Sequence, residues 1–294
     1  MSNKMKNKNL LYHALALVTV VIWGTTFVST KILIRTGLSP VEIFLYRFLL
    51  AYVCILTVSH SRLVAKSRKD EFFLFLAGIC GGSLYFILEN TALGITLASN
   101  VSLLICTAPV ITAFLAALFY KEPLRKKMLL GSAVALLGVG LVVFNGSVVL
   151  KINPAGDLLT LGAAVAWAFY CLILKRMGSS YPILFITRKV FFYGLLSLSF
   201  YCIFFPLEFK TSLLSRPVVY GNLLFLGVVA SMLCYIMWNT AVKFLGASKT
   251  TNYIYIVPLV TLLTSAFFLS EAVTLASLTG ACLIIGGVYV AEKK

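Results

Sequence analysis

Arg47, in "VEIFLYRFLLAYVCIL", and Glu89, in "GGSLYFILENTALGI", are ionisable residues set inside apolar runs. An ionisable group in lipid is costly, so it marks a functional site by default and calls for a partner. Arg47 lies about six residues into its run, roughly 9 Å at 1.5 Å per residue. Glu89 lies about four residues from the end of its own run, roughly 6 Å on the same scale. Similar depth on successive helices makes them candidate partners. Burial and a nearby guanidinium pull a carboxylate's proton affinity in opposite directions. Such a pair can anchor a zwitterion, gate an opening or carry a coupling proton. The bland alternative is a structural ion pair that fixes one helix against the next.

Aromatic residues and prolines add to this set. Trp23 and Trp167 fall deep inside their runs, whereas tryptophan more often marks a membrane interface. Aromatic walls suit a pocket for amphipathic molecules, with plain helix packing as the alternative. Tyr85, Tyr170, Tyr235 and Asn239 are candidate neighbours, and Trp238 reads as a belt residue. Pro109 and Pro258 sit midway along their runs. Each removes an amide donor and frees the carbonyl four residues back, at Ile105 and Ile254. Freed carbonyls are tolerated in lipid only where they face protein or a cavity. Helical spacing puts Ser102 and Cys106 on the Pro109 face, and Thr251 and Tyr255 on the Pro258 face. Of these, Tyr255 is the expected cavity liner, while Ser102 alone suits ordinary packing. Arg188 holds the place in the second half that Arg47 holds in the first.

These residues need helices to position them. The chain has 294 residues, 61% hydrophobic and 12% charged, with mean hydropathy +1.00. That is about half the charge of a soluble domain, too little to cover a core of this size with a polar surface. Runs long enough to cross a bilayer recur over 10–30, 41–59, 72–93, 99–119, 128–147, 157–174, 183–205, 219–242, 248–269 and 274–291. The fold class is therefore all-α integral membrane, with ten spans. The first run is too long for the apolar core of a secretory signal and lacks a clear cleavage site, so it counts as a span. With the N-terminus in the cytoplasm, 17 basic residues fall in cytoplasmic segments and five in outer ones, which favours both termini inside.

Composition also excludes functions. The net charge of +16 comes from short clusters between runs and forms no single nucleic-acid patch. Seven cysteines scattered through the runs, without CxxC spacing, read as buried thiols. The only aspartates, Asp70 and Asp157, lie near helix starts, and two histidines make no ligand set. Neither catalysis, a metal nor a cofactor is expected. The expected partners are the lipid bilayer and a small-molecule metabolite. Oligomeric state is left open, a monomer included.

The sequence also repeats. An offset of 149 aligns Gly78 with Gly227, Asn90-Thr91-Ala92 with Asn239-Thr240-Ala241, Pro109 with Pro258, and Glu122 with Glu271. It continues through Gly131 with Gly280 and Gly138 with Gly287. With small shifts, "WGTTFVSTK" from Trp23 parallels "WAFYCLILK" from Trp167. The expected units are 10–147 and 157–291, five spans each. Five is odd, so the second unit must enter the membrane from the opposite side, a recurring signature of secondary transporters. Glu122 and Glu271 read as structural helix ends. Gly131, Gly138, Gly280, Gly286 and Gly287 read as close packing between the fifth and tenth spans.

The double pattern resembles the EamA-type branch of the drug/metabolite transporter superfamily. The likeness rests on "WGTTFVSTK", on a proline then an arginine entering the second span, on "KEPLRKKMLLGSAVALLGVG", and on "LSEAVTLASLTGACLIIGGVYV". It covers essentially the whole chain. It implies ten helices around a central cavity and movement of small metabolites, most often export of amino acids or related compounds. One departure is "WAFY" in the second half where the first has the more typical "WGTTF", so the two halves need not meet a substrate equally.

Overall fold

A computed structural model describes residues 3–60, 63–96, 98–144, 153–207, 211–269 and 274–292. Every regular element among them is helical: α1 (Asn3–Arg35), α2 (Pro40–Leu56), α3 (Arg68–Gly78), α4 (Leu84–Ile95), α5 (Ala98–Ile105), α6 (Ala108–Tyr120), α7 (Lys126–Phe144) and α8 (Pro154–Gly178). After these come α9 (Ile183–Phe204), α10 (Thr211–Leu214), α11 (Pro217–Leu224), α12 (Cys234–Leu245), α13 (Ala247–Thr251), α14 (Val257–Leu269) and α15 (Leu275–Glu292). Six stretches are long and apolar enough to cross a membrane. They are 9–35, 68–95, 101–120, 154–178, 183–204 and 217–245. The other expected spans are helical as α2, α7, α13 with α14, and α15. Glu271 lies outside the described residues.

Local chemistry sets the starts that matter for the site. Ser39 caps α2 reciprocally. Its side chain accepts from the Glu42 amide at 3.2 Å, and its own amide donates to Glu42 Oε2 at 2.8 Å. Pro40 follows at the first helical position, where a missing amide costs nothing. This fixes the phase at which Arg47 leaves the helix. Asn153 caps α8 in one direction only, its side chain accepting from the Gly156 amide at 3.1 Å ahead of Pro154.

Four of these paths are interrupted. A π segment, Ile79–Ser83, joins α3 to α4, and another, Phe225–Leu233, joins α11 to α12. They fall at equivalent places under the 149 offset. Pro109 and Pro258 do not sit inside continuous helices: each is the second residue of a new one, α6 and α14. A turn at Cys106–Thr107 precedes α6. A 3₁₀ segment, Asn252–Ile256, precedes α14. A proline at such a position loses no helical hydrogen bond, so the chain breaks rather than kinks.

Packing exchanges elements between the halves. α1 packs on α12 and α14, while α8 packs on α4 and α6. α2 packs on the segment Phe225–Leu233, and α9 on α3 and the segment Ile79–Ser83. α7 and α15 form an antiparallel pair. A Cβ on Gly131 would lie 2.5 Å from the Gly287 carbonyl oxygen, and one on Gly138 would lie 2.6 Å from that of Gly280. Lipid gives helices no hydrophobic reason to associate, so such backbone approach is what van der Waals packing requires. Gly286 departs from the expected seam, because a Cβ there meets nothing within 4 Å.

Candidate functional site

Side chains from both halves converge on one cavity. α1 contributes Trp23, Thr26 and Phe27; α2 contributes Arg47; and α4 contributes Tyr85, Phe86 and Glu89. α8 supplies Trp167 and α12 supplies Tyr235. The two broken spans contribute Ile105 and Ala108 on one side, Ile254 and Val257 on the other. The breaks touch directly: Cys106 Sγ donates to the Ile254 carbonyl at 3.7 Å. That carbonyl also accepts from the Val257 amide, so the expected free acceptor at Ile254 is occupied.

Aromatic rings form the wall. Trp23 and Trp167 meet edge to face, with centroids 5.2 Å apart at 84°. Tyr85 stands 5.0 Å from Trp167 and Tyr235 stands 6.2 Å from Trp23. Two of these residues also hold the backbone. The Trp23 indole N–H donates to the Ala230 carbonyl at 2.9 Å, and the Tyr235 hydroxyl donates to the Gly81 carbonyl. Both carbonyls lie in the π segments, where helical pairing is irregular. The Trp167 indole nitrogen is buried and has no protein partner among the described residues.

Two charged groups face this wall, with Arg47 2% and Glu89 8% exposed. They do not form the direct ion pair expected of them. Arg47 Nε donates to Ser231 Oγ at 3.0 Å, and its guanidinium lies 4.2 Å from the centre of the Phe86 ring. Glu89 Oε1 accepts from the Tyr85 hydroxyl at 2.8 Å. Each charge therefore has its own neutral partner and retains capacity toward the cavity. Separated opposite charges on an aromatic wall suit a molecule carrying both signs.

Trp23, Arg47, Tyr85, Glu89, Trp167 and Tyr235 thus come together, with Ile105 and Ile254 beside them, and the other residues singled out by sequence do not line the cavity. Tyr170 donates to Asn239 Oδ1 at 2.8 Å, and Asn239 Nδ2 donates to Thr187 Oγ1 at 2.8 Å. This buried chain ties α8, α12 and α9 together. Arg188 Nη1 donates to the Ser59 carbonyl at 2.6 Å, just beyond the end of α2. Thr251 returns its hydroxyl to the Ala247 and Ser248 carbonyls at 3.0 and 3.1 Å. Ser102, Pro109, Pro258 and Tyr255 are buried without lining the cavity. Tyr255 misses because Asn252–Ile256 is 3₁₀, which advances side chains by 120° per residue and turns the face away from its α-helical register. Trp238 is no belt residue: it is fully buried, with its ring 5.0 Å from Trp23. Phe86 and Thr26 join the lining from places three residues from Glu89 and Trp23, the same helix faces as those two markers.

At the far end of α6, Glu122 accepts from Lys175 of α8 and, at 3.0 Å, from Ser248 of α13. Glu71 of α3 likewise accepts from Lys189 and Tyr193 of α9. Both acids tie one half to the other outside the cavity.

The EamA-like transporter family model matches residues 10–144 and 154–292. Relatives include the uncharacterized transporter YyaM of Bacillus subtilis (strain 168), 30% identical over 97% of this chain and 94% of its own. An uncharacterized transporter of Archaeoglobus fulgidus is 27% identical over 96% and 97%. A probable terminal-alkyne amino-acid exporter of Streptantibioticus cattleyicolor is 26% identical over 94% and 91%. A solved crystal structure superposes with TM-score 0.76 over 97% of this chain and 96% of its own, at 17% identity, a likeness of fold alone. A family match to two segments spanning most of the chain, joined by a full-length relative, makes this multi-pass membrane protein a member of the EamA-like transporter family.

Proposed function

We propose that the protein is a secondary transporter that exports amino acids or related zwitterionic metabolites across the cytoplasmic membrane. The observation that carries this reading is the cavity shared by both halves, with Arg47 and Glu89 held apart on an aromatic wall. A substrate carboxylate would face Arg47 and its ammonium would face Glu89. Its apolar part would rest on Trp23, Trp167 and Tyr235. The family supports transport, and the exporter in Streptantibioticus supports both the substrate class and the direction.

In this reading ten spans form two inverted five-helix units, 10–147 and 157–291, with both termini in the cytoplasm. The exchanged packing of the halves and the antiparallel α7–α15 seam support the inversion. Trp238, Tyr170 and Asn239 then lie on the cytoplasmic side of the cavity, and the Glu122–Lys175 tie lies beyond them. Alternating access requires that side to part while the outer side closes.

The deciding experiment is counterflow in proteoliposomes. Vesicles preloaded with one unlabelled amino acid should accumulate the labelled form transiently above its outside concentration. Equilibration without overshoot, for every amino acid tried, identifies a channel and overturns the carrier. Single-cysteine variants tested with a membrane-impermeant reagent should leave residues 63–70 and 121–127 unlabelled from outside. Labelling of either from outside reverses the orientation.

A further inference from the structure

A second cavity lies where α6, α7, α12 and α13 meet. It differs chemically from the first. Arg125 and Lys249 line it, and neither has an acidic partner among the described residues. Asn252 also lines it; this residue is 2% exposed, and its carboxamide makes no side-chain hydrogen bond among the described residues. The acid in the lining, Glu122, already spends its two oxygens on Lys175 and Ser248. The cavity is therefore cationic, with an unanswered amide on its wall. The first turn of α7 begins beside Arg125 and adds the positive end of a helix.

Position narrows the ligand further. The cavity sits at the end of one long apolar helix and the start of another, where a span meets water. Leu124 and Met128 belong to its lining. Leu118, Phe119 and Leu130 are exposed on the adjoining turns of α6 and α7. Cations and an amide on one side, with an apolar outer face beside them, match a molecule that has an anionic head and a hydrocarbon tail. Basic pockets between membrane helices take such headgroups. We propose that this cavity binds the phosphate of an anionic phospholipid, held by Arg125, Lys249 and Asn252, with the acyl chains along the exposed face of α6 and α7. The lipid would brace the corner at which Glu122 joins α6 to α8 and α13.

Native mass spectrometry of the purified full chain tests this with phosphatidylglycerol, phosphatidylcholine and inorganic phosphate as separate probes. Phosphatidylglycerol should be retained in preference to phosphatidylcholine. The Arg125→Gln/Lys249→Gln variant should lose that retention by on the order of tenfold or more, since two cations at a lipid surface are removed. Neither residue has an ion pair to lose among the described residues, so the variant should keep the wild-type melting temperature. Arg125→Lys/Lys249→Arg should restore retention, and Lys69→Gln should leave it intact. Equal retention of both lipids, or wild-type retention in the double glutamine variant, overturns the proposal. Binding of inorganic phosphate without selective retention of phosphatidylglycerol assigns the site to a soluble phosphate and overturns the lipid.

Discussion

Gly81 and Ala230, 149 residues apart, present equivalent carbonyls in the two π segments, and each is capped by an aromatic donor from the opposite half. Tyr235 caps Gly81 and Trp23 caps Ala230. The same two rings wall the cavity. The cavity wall and the backbone repair are thereby joined in one pair of side chains.

Removing either donor strands a buried carbonyl. Tyr235→Phe and Trp23→Phe should each destabilise the purified protein by about 1–3 kcal/mol, the usual cost of an unmet buried group. A fall in melting temperature of similar size for both is the expected result. An unchanged melting temperature for either would show that its carbonyl finds another donor.

Glu89→Gln keeps the shape of the side chain and can still accept from Tyr85, but it removes the charge facing the cavity. Transport should fall at least about tenfold, the loss of one charge-assisted contact. Any dependence on external pH between about pH 5 and pH 8 should disappear, because the amide has no proton to exchange. Arg47→Lys should also lose transport, because an ammonium cannot reproduce the planar contact with Phe86 together with the bond to Ser231. Normal transport in Glu89→Gln across that range would remove both the anchoring and the coupling role.

Trp167 separates binding from folding. Its indole nitrogen has no protein partner among the described residues, so Trp167→Phe forfeits no hydrogen bond seen there. The variant should transport poorly while melting within about 1 kcal/mol of wild type, the cost of a modest aromatic exchange. Full transport would mean that the wall only packs.

The glycine seam yields an internal contrast. Gly138→Leu and Gly280→Leu should prevent stable folding, since even a Cβ at either place meets backbone at 2.6 Å or less. Gly286→Ala faces open space. It should be neutral or should stabilise the helix by up to about 1 kcal/mol. Detergent melting curves distinguish the three.

Rare residues made much of this legible. Proline, glutamate and glycine recurring at one offset disclosed the repeat, and Arg47, Glu89, Trp23 and Trp167 declared themselves by being out of place in apolar runs. Geometry within the breaks was not legible. Nothing in "TTNYIYIVPL" says that Asn252–Ile256 tightens to 3₁₀, and that change carries Tyr255 away from the cavity. Nothing in "FLGVVASML" announces a π segment. Such a segment shifts the register of all that follows, so Trp238 lands in the aromatic cluster. Arg47 and Glu89 were matched by depth alone, and depth says nothing about whether Ser231 or Tyr85 lies nearer.

The α7–α15 seam has the property of a lock cut to fit its own copy. Gly131 faces Gly287 and Gly138 faces Gly280, yet Gly131 corresponds to Gly280 and Gly138 to Gly287. One helix therefore carries both sides of the joint, as in a self-complementary interface between two identical subunits. Each repeat of this chain, 10–144 and 154–292, thus holds the surface needed to meet the other helix to helix in the antiparallel sense. The two pieces made as separate chains should find each other in the membrane without the peptide that links them.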